Sequence, residues 1–501
     1  MSNGKLVRIL TICAASLSAL QVSGQQVGSV PVTSYQPLPA APQQASPAQF
    51  EGSVAQGQAT PNTIQLTMEG AIARGLKANL GLLTSEQSDR ETKATRMRVL
   101  SALLPNVTGG LGETVEQVNL ATFGFKFAPN PYFTIPKIVG PFQFADARAF
   151  ATVPLVDMAQ YRNYQATKQR ELAAQLNVKD ARDLVVEAVG NAYLRIIASA
   201  ATVVSTKVQV KTAQVLFDRA SDQKKAGTSP GIDVLRAQVE LKRQQQLLLA
   251  QSNQFQKDKL TLARVIGLPS GQSFTVVDPT LGSPLDGLGV DDALTQAYQH
   301  RSDYMAAETS VKAAEFAKRA AHAQYYPTLS AAGNYGDIGT HFNDSHGTFT
   351  FTGALKFNIF DGGKIKADEL AADVALTNRK NDLANLKGEI DYQVRTALLD
   401  LKASQDEVDV ARSNVDLSNQ TLTQARDRFS AGVADNLEVV QAQQSVADAD
   451  QSLISAQYRN NLARVELARA LGLTEEGIRA YFSKTGGTSV PGPEAAPAPK
   501  P

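Results

Sequence analysis

The stretch AGTSPGIDVLRAQ, residues 226–238, has a counterpart in AGVADNLEVVQAQ, residues 431–443. A shift of 205 positions places Asp233 on Glu438, and no gap is needed. In each copy, a glycine that can adopt positive φ is followed by an acidic residue and an aliphatic run, which is the pattern of a turn that opens into a helix. The chain is therefore expected to make the same turn between helices twice.

The duplication extends over most of the chain. The same shift places ARVIGL on ARALGL (468–473), and a shift of 222 positions places LLPNVTGG on YYPTLSAA (325–332). Self-similarity of this kind is typical of stacked structural repeats. We predict two repeats, at residues 63–285 and 286–483.

Large hydrophobic residues recur every seven positions through a long proline-free segment of each repeat, and small residues follow three positions later. Such a pattern predicts left-handed coiled coils. We expect long helices at 158–226 and 363–431, each roughly 100 Å long, joined through the turns to helices at 232–266 and 436–471. The large residues are Val189, Ile196, Val203, Val210 and Phe217 in the first repeat, and Val394, Leu401, Val408, Val415, Leu422 and Phe429 in the second.

Other segments alternate between apolar and polar residues. In TFTFTGALKFNIFD (348–361), phenylalanine, leucine and isoleucine occupy one side and threonine, lysine and asparagine the other. An apolar face opposite a polar face over about ten residues fits a strand between lipid and water. The predicted strands are 106–116, 142–157, 328–337 and 348–360, and the helices that precede each strand pair are 67–104 and 291–326.

The ends of the chain are distinct from the repeats. Two basic residues precede a short apolar run, which predicts a secretory signal peptide at residues 1–24. Cys13, the only cysteine, lies within it, so we expect no disulfide and no thiolate metal site in the mature chain. Residues 25–62 are rich in proline, glutamine and alanine, and residues 484–501 are rich in proline, glycine and alanine, so we predict that both segments are disordered.

Beyond the signal we expect no apolar run of about 18 residues, so a membrane crossing requires β-strands. Four strands cannot close a barrel, since about eight is the practical minimum. Three copies related by cyclic symmetry would supply twelve strands. The predicted fold is mostly α with a small β part: a trimeric 12-stranded outer-membrane β-barrel with four strands per chain, continuous with a long periplasmic coiled-coil barrel, and an internal two-fold repeat.

The order of these segments resembles the TolC family of outer-membrane efflux proteins. The matching motifs are ALTQAYQHRSDY (293–304), YYPTLSA, FNIFDGGKIKADEL (357–370) and RFSAGVADNLEVVQAQ (428–443), and the resemblance covers about residues 63–481. It implies a homotrimer in outer-membrane lipid that extends into the periplasm and serves as the passive exit duct of a tripartite efflux or type I secretion system. Its implied partners are a periplasmic adaptor (membrane fusion) protein and an inner-membrane pump.

The two turns would form the periplasmic mouth of such a duct. Asp233 and Glu438 match gate positions of the family, and Arg428, Lys224 and Lys225 are candidate partners that hold the gate shut. Six carboxylates at a narrow mouth would repel one another and attract cations. Alternatively, each acid only stabilises the start of its helix, by about 0.3–1 kcal/mol. The two interpretations are compatible and both stay open.

Two further sets of residues are candidates for function. Small residues at the turns leave the backbone exposed, which predicts adaptor docking at Gly227, Thr228, Ser229, Gly432, Val433 and Ala434. Asp146 and Arg148 share the polar face of a strand, where they either line the pore or form a salt pair between strands.

We find no catalytic constellation. The histidines His300, His322, His341 and His346 lack helical metal spacing, and DGGK (361–364) lacks the spacing of a phosphate loop. A net charge of +1 gives no reason to expect a nucleic-acid partner. The chain is predicted to be a duct without enzymatic activity, cofactor or metal. The alternative is a coiled-coil structural or adhesin-like envelope protein without transport activity.

Overall fold

The computed structural model describes residues 50–123, 136–228, 230–277, 287–431, 433 and 436–475. The described residues fall into two compact units. The first comprises the described parts of Met97–Tyr164 and Arg319–Glu369, and the second comprises those of Ala40–Arg96, Gln165–Lys318 and Leu370–Pro501.

The same series of elements occurs twice along the chain: two short helices, two long strands, one very long helix and one helix of intermediate length. The first series also contains a pair of short strands. The elements are β1 (Ile64–Leu66), α1 (Met68–Ala78), α2 (Leu80–Ser101), β2 (Asn106–Asn119), β3 (Ile138–Val156), α3 (Met158–Lys225), α4 (Gly231–Val265), β4 (Phe274–Val276), α5 (Val290–His300), α6 (Ser302–His322), β5 (Thr328–Gly339), β6 (Ser345–Lys356), α7 (Lys364–Ser430) and α8 (Asn436–Ala470).

The first unit contains an antiparallel sheet of four strands in the order β2-β3-β5-β6. The pairing places Ala149 beside Tyr335, and Tyr335 beside Phe349, on one face. That face is mostly apolar and open, and Phe349 is 78% exposed. The opposite face is mostly polar because side chains alternate along each strand. It carries Thr108, Thr114, Asp146, Arg148, Asn334, Thr350 and Thr352.

The strand bounds differ from the predicted ones because pairing, and not composition, sets them. β2 and β3 remain paired as far as Asn119 and Ile138, beyond the predicted limits. β6 ends at Lys356, which pairs with Thr328 at the start of β5, so the alternating residues up to 360 extend past the strand.

Two of the hydrophobic cores in the second unit are equivalent, one centred on each repeat. Val185, Val189 and Leu262 are buried in the first core. Ile390, Val394 and Leu467 are buried in the second core, at positions shifted by 205. The first core also includes the parallel pair β1–β4. Equal burial at equivalent positions indicates that the sequence duplication is a structural one.

Burial along the long helices follows the seven-residue pattern. In α7 the buried residues include Val394, Ala397 and Leu401 in the middle of the helix and Leu422 and Ala425 near its C-terminal end. Large and small residues therefore alternate along one seam, as coiled-coil packing requires. In α3 the corresponding buried residues are Val189, Ile196, Val203, Thr206, Ala213 and Ala220.

Each of the two predicted short helices is in fact two helices. In the first repeat the break is at Asn79, which has an extended backbone (φ −66°, ψ 129°). Its side-chain amide donates to the carbonyl of Phe50 at 2.6 Å, and its Oδ1 accepts from the N–H of Gly81 at 2.9 Å. Asn79 therefore caps α2, which the apolar periodicity of 67–104 did not reveal. In the second repeat, Arg301 (ψ 116°) interrupts the helix predicted at 291–326.

Part of the segment predicted to be disordered is ordered. Residues 50–62 of the predicted linker 25–62 are described, and Phe50 is buried in the first core. A Cβ atom at Gly81 would lie 2.4 Å from Cδ1 of Phe50, so the glycine makes room for the ring. One aromatic residue thus anchors a segment whose composition is otherwise typical of disorder. The predicted signal peptide and tail lie outside the described residues.

One helix in the described part of the chain is long and apolar enough to cross a membrane by length and composition, contrary to our expectation from the sequence. It is α3, in which an 18-residue window has a mean hydropathy of 1.3. Of that window, 44% is buried within the protein. Val185, Val189 and Ile196 of this helix lie in the first core, so packing within the protein accounts for part of its apolar residues.

Candidate functional site

The turn after α3 is a helix stop that exposes its backbone. Gly227 has a φ of +73°. Its N–H donates to the carbonyl of Lys224 at 3.0 Å, and the N–H of Thr228 donates to the carbonyl of Gln223 at 3.0 Å. These two bonds form a Schellman motif, in which glycine accepts the left-handed conformation without strain. A Cβ atom at Gly227 would meet nothing within 4 Å, so the surface here is open.

Asp233 lies in the first turn of α4, where its charge favours the helix N-terminus. Its Oδ1 lies 3.6 Å from an Nη atom of Arg236 on the same helix. Pro230 occupies the cap position and makes no side-chain capping bond. Arg236, which the sequence analysis did not single out, is therefore a partner of this acid.

The second turn ties its two helices together through side chains. Nε of Arg428, in the last turn of α7, lies 3.5 Å from Oε1 of Glu438, in the first turn of α8. The N–H of Val433 donates to the carbonyl of Arg428, five residues earlier, at 3.0 Å. The structure therefore brings together two of the residues that the sequence assigned to the gate.

The remaining turn candidates are placed as follows. Lys225 pairs with Asp222 of its own helix at 3.1 Å, and Lys224 lies beside Gly231. Thr228 donates its hydroxyl to the carbonyl of Gln223 at 3.1 Å. Ser229, Gly432 and Ala434 lie outside the described residues.

Asp146 and Arg148 form an ion pair on the polar face of the sheet. Nε of Arg148 donates to Oδ1 of Asp146 at 2.6 Å, and a second contact makes the pair bidentate. Both residues belong to β3, so this pair forms within one strand and not between strands. Arg148 lies between Gly110 of β2 and Gly336 of β5, which leave its flanks clear of side chains.

A charged cluster in the second unit went unnoticed at the sequence level. Asp180, Asp183 and Glu187 occupy one face of α3, because positions i, i+3 and i+7 of a helix align. Arg469 of α8 lies 2.6 Å from Oδ1 of Asp180 and 3.7 Å from Oε2 of Glu187. The spacing of the three acids in the sequence could have revealed this acidic helix face. Arg469, which is almost 290 residues away from Asp180 in sequence, was not a detectable partner.

Arginines at both sides extend this cluster. Arg182 of α3 pairs with Glu475 at 3.1 Å. Arg301, which is 3% exposed, pairs with Asp303 at 2.7 Å and donates to Oε1 of Gln393 at 2.7 Å. A buried guanidinium with its partners satisfied is costly to disrupt, because removing one partner leaves a charge without compensation.

Burial in this cluster changes the proton affinity of its acids. It raises the pKa of Asp183 to about 6, with Arg469 acting in the opposite direction and Asp180 adding repulsion. Burial also raises the pKa of Asp180 and of Glu187 above their ordinary values, although Arg469 opposes both shifts. For Asp303 burial acts upward, but the hydrogen bond and charge of Arg301 prevail and lower its pKa. The cluster therefore holds acids with different proton affinities at one junction.

A family model described as "outer membrane efflux protein" matches residues 76–268 and 293–473, one segment in each repeat. The chain belongs to the outer membrane efflux protein family. The resemblance inferred from the duplicated motifs is therefore confirmed. The family is described as one of outer-membrane efflux proteins. Within the described residues, no group of histidine, cysteine and acidic side chains could hold a metal ion.

Curated members of the efflux family are distant relatives of this chain. Outer membrane protein OprJ of Pseudomonas aeruginosa is 25% identical over 335 residues, which cover 65% of this chain and 68% of OprJ. The toluene efflux pump outer membrane protein TtgC of Pseudomonas putida is 25% identical over 308 residues, covering 58% of this chain and 60% of TtgC. The chain thus spans about two thirds or less of the length of these two relatives.

Solved structures of the efflux family share the fold. VceC of Vibrio cholerae superimposes with a TM-score of 0.70 at 17% identity, covering 81% of this chain and 96% of VceC. The CmeC outer membrane channel of Campylobacter jejuni gives a TM-score of 0.71 at 14% identity, covering 89% of this chain and 97% of CmeC. At these identities the comparison establishes the fold and leaves cargo unassigned.

Proposed function

We propose that this chain is the outer-membrane exit duct of a tripartite efflux or type I secretion system. The duct is a passive homotrimeric channel that crosses the outer membrane as a β-barrel and continues into the periplasm as a tube of helices. The relatives OprJ and TtgC, named as outer membrane proteins and, for TtgC, as an efflux pump component, support this proposal.

The observation on which the proposal chiefly rests is the four-stranded sheet. Among the described residues, β2 and β6 each pair with a strand on one side only. One face of the sheet is apolar and exposed, with Leu111, Phe349 and Phe351 open to the surroundings. A sheet with such a face fits lipid, but unpaired backbone at its edges would cost several kcal/mol per group there. Pairing β2 of one copy with β6 of the next removes both edges.

Three copies suit a duct better than two. Two copies would give eight strands, and a barrel of about eight strands has an interior that side chains fill. Three copies give twelve strands and leave space for a lumen. The polar face, with Asp146 and Arg148, would then line that lumen. The long helices α3 and α7, of 68 and 67 residues, would form the periplasmic part of the duct.

Partners follow from the duct function. A channel that crosses only the outer membrane needs an inner-membrane pump to drive export and a periplasmic adaptor to join the two. The adaptor docks at the turns near Gly227 and Val433, where exposed backbone and small residues accept another protein's hairpin. Val433 is 71% exposed. Export is transport and requires no chemistry on the cargo, so the chain acts without enzymatic activity.

The gate is proposed at the same turns. The Arg428–Glu438 pair ties α7 to α8 within one protomer, and Asp233 lies in the first turn of α4, beside the turn of the other hairpin. Three copies of each acid around an axis would favour cations at the mouth. Stabilisation of the helix starts by these acids is compatible with that role.

Cell fractionation tests the duct. We expect the protein in the outer-membrane fraction, as a heat-modifiable species that migrates as a trimer on gels before boiling and as a monomer afterwards. A soluble periplasmic monomer would refute the proposal. An outer-membrane trimer that forms no channels in planar bilayers would favour the structural or adhesin-like alternative.

A further inference from the structure

We propose that the acidic face of α3, formed by Asp180, Asp183 and Glu187, takes up a proton at Asp183 as the pH falls toward 5. Uptake of the proton strengthens, at low pH, the contact between this face and the second repeat. We call this contact the clamp. The clamp lies among helices of the second unit.

The cluster adds charged contacts to the apolar packing and the β3–β5 strand pairing that also join the two repeats. Asp180, Asp183 and Glu187 belong to the first repeat, whereas Arg469 and Glu475 belong to the second. Asp183 accepts a hydrogen bond from the backbone N–H of Glu475, so it touches the segment that follows α8 directly. Arg182 also pairs with Glu475, so charged contacts link the two repeats at the end of α8.

The charged cluster contains more carboxylates than arginines. The carboxylates are Asp180, Asp183, Glu187, Asp303 and Glu475, and the arginines are Arg182, Arg301 and Arg469. Buried like charges without compensation favour uptake of a proton by one of them. Asp183 takes it because Asp180 and Glu187 lie closest to Arg469, whereas Asp303 is held by Arg301.

Other charged groups surround the cluster without reversing its balance. From α8, Glu466 adds repulsion at Glu187. From the junction of α5 and α6, Arg301 attracts Asp180 and Glu187, while Asp303 repels Asp180. Arg469 attracts all three acids of the face.

The sign of the pH effect follows from linkage. The pKa of Asp183 is about 6 in the folded chain, above its ordinary value of 3.8, so the folded chain binds more protons between these values. The resulting stabilisation is fully present below the ordinary value and is lost as the pH rises through about 6. The raised pKa values of Asp180 and Glu187 act in the same direction. The lowered pKa of Asp303 acts oppositely, but only at more acidic pH.

Hydrogen exchange measured by mass spectrometry tests the clamp in the full-length purified protein. Between pH 7.5 and pH 5, amide protection at residues 464–475 should rise by up to about tenfold, after correction for intrinsic exchange rates. Asp183→Asn should abolish most of this dependence, with protection at pH 7.5 close to that of the wild type at pH 5. An Asp183→Asn protein that keeps the wild-type pH dependence would overturn the proposal.

Matched variants isolate the cluster. Asp222→Asn removes an exposed acid near the far end of the same helix and should leave the pH dependence unchanged. Histidine side chains take up protons in the same range. His300 adjoins Arg301, so His300→Gln is a control for this alternative. The pH dependence of protection should be unchanged in His300→Gln, and a variant without it would overturn the assignment to Asp183.

A second variant keeps the proposal testable if Asp183→Asn does not fold. Glu475→Gln removes a charge that repels Asp183 but leaves the backbone N–H in place. The midpoint of the pH dependence should then move to lower pH, and an unmoved midpoint would contradict the clamp. Because protection is measured without transport, failure of the clamp is distinguishable from failure of the duct.

Discussion

The chain uses glycine stops of the same type in two very different places. Gly227 ends the helix at the first turn with a φ of +73°, and Gly472 ends α8 in the second unit, also with a φ of +73°. A Cβ atom at Gly227 would meet nothing within 4 Å, whereas one at Gly472 would lie 2.6 Å from the backbone nitrogen of Arg301. The first glycine is needed only for its conformation, and the second is needed for both conformation and space.

The surface at Gly227 can therefore change together with a binding partner, whereas Gly472 is constrained by the packing of the fold. At Gly227, surrounding space is free for the proposed adaptor. At Gly472, close backbone approach holds the α5–α6 junction, and with it Arg301 of the charged cluster. Identical local motifs therefore do not imply identical constraints, and the comparison can be tested by the same substitution at both positions.

The largest effect is expected for Gly472→Ala. A positive φ costs a residue that has a β-carbon about 1–2 kcal/mol. Overpacking adds about 1–3 kcal/mol, because the β-carbon would meet the backbone of Arg301, which cannot move aside easily. The free energy of unfolding should fall by about 2–5 kcal/mol in urea denaturation of the detergent-solubilised protein. Gly271→Ala is a control with positive φ and open surroundings. Equal losses in the two variants would refute the role of close approach.

An intermediate effect is expected at the first turn. Gly227→Ala should lower the free energy of unfolding by about 1–2 kcal/mol, and Gly227→Asn by less, because asparagine tolerates this conformation better. Gly227→Arg and Gly432→Arg should leave the trimer assembled but weaken adaptor crosslinking and efflux. If both arginine variants crosslink and export normally, the turns are not the docking site.

The smallest energetic effect is expected at the ion pair of the second turn. Arg428 and Glu438 are both substantially exposed, so a double-mutant cycle should give a coupling energy of about 0.2–1 kcal/mol. Planar-bilayer conductance is the more sensitive measurement. Glu438→Ala should increase it more than Asp233→Ala does, because the carboxylate of Asp233 is held by Arg236 of its own helix. An unchanged small conductance in both variants would exclude these acids from the gate.

Periodic features of the fold were predictable from the sequence. The seven-residue ladders of α3 and α7 and the alternation of β6 express packing that repeats along an element, so each residue reports the same environment as its equivalents. The turn at 226–238 was recognisable for the same reason, because its copy at 431–443 repeats both the stop and the acid.

Features that depend on a single contact were not predictable. Asn79 interrupts a helix because its side chain binds Phe50 and Gly81, and Phe50 is ordered because one glycine makes room for its ring. At the candidate sites, the pairing of Arg428 with Glu438 was foreseen only as one of several options. The pairing of Asp146 with Arg148 within one strand was not among the two options considered for these residues, which were pore lining and a salt pair between strands.

The sequence by itself determined the duplication, the long coiled-coil helices and the two-faced strands, since periodic hydrophobicity encodes the surface that each element must bury. Only the tertiary structure decided which charges meet. Asp180 and Arg469 are almost 290 residues apart in sequence yet 2.6 Å apart in space. The identity of a partner depends on how the repeats pack against each other, and local pattern carries no information about that packing.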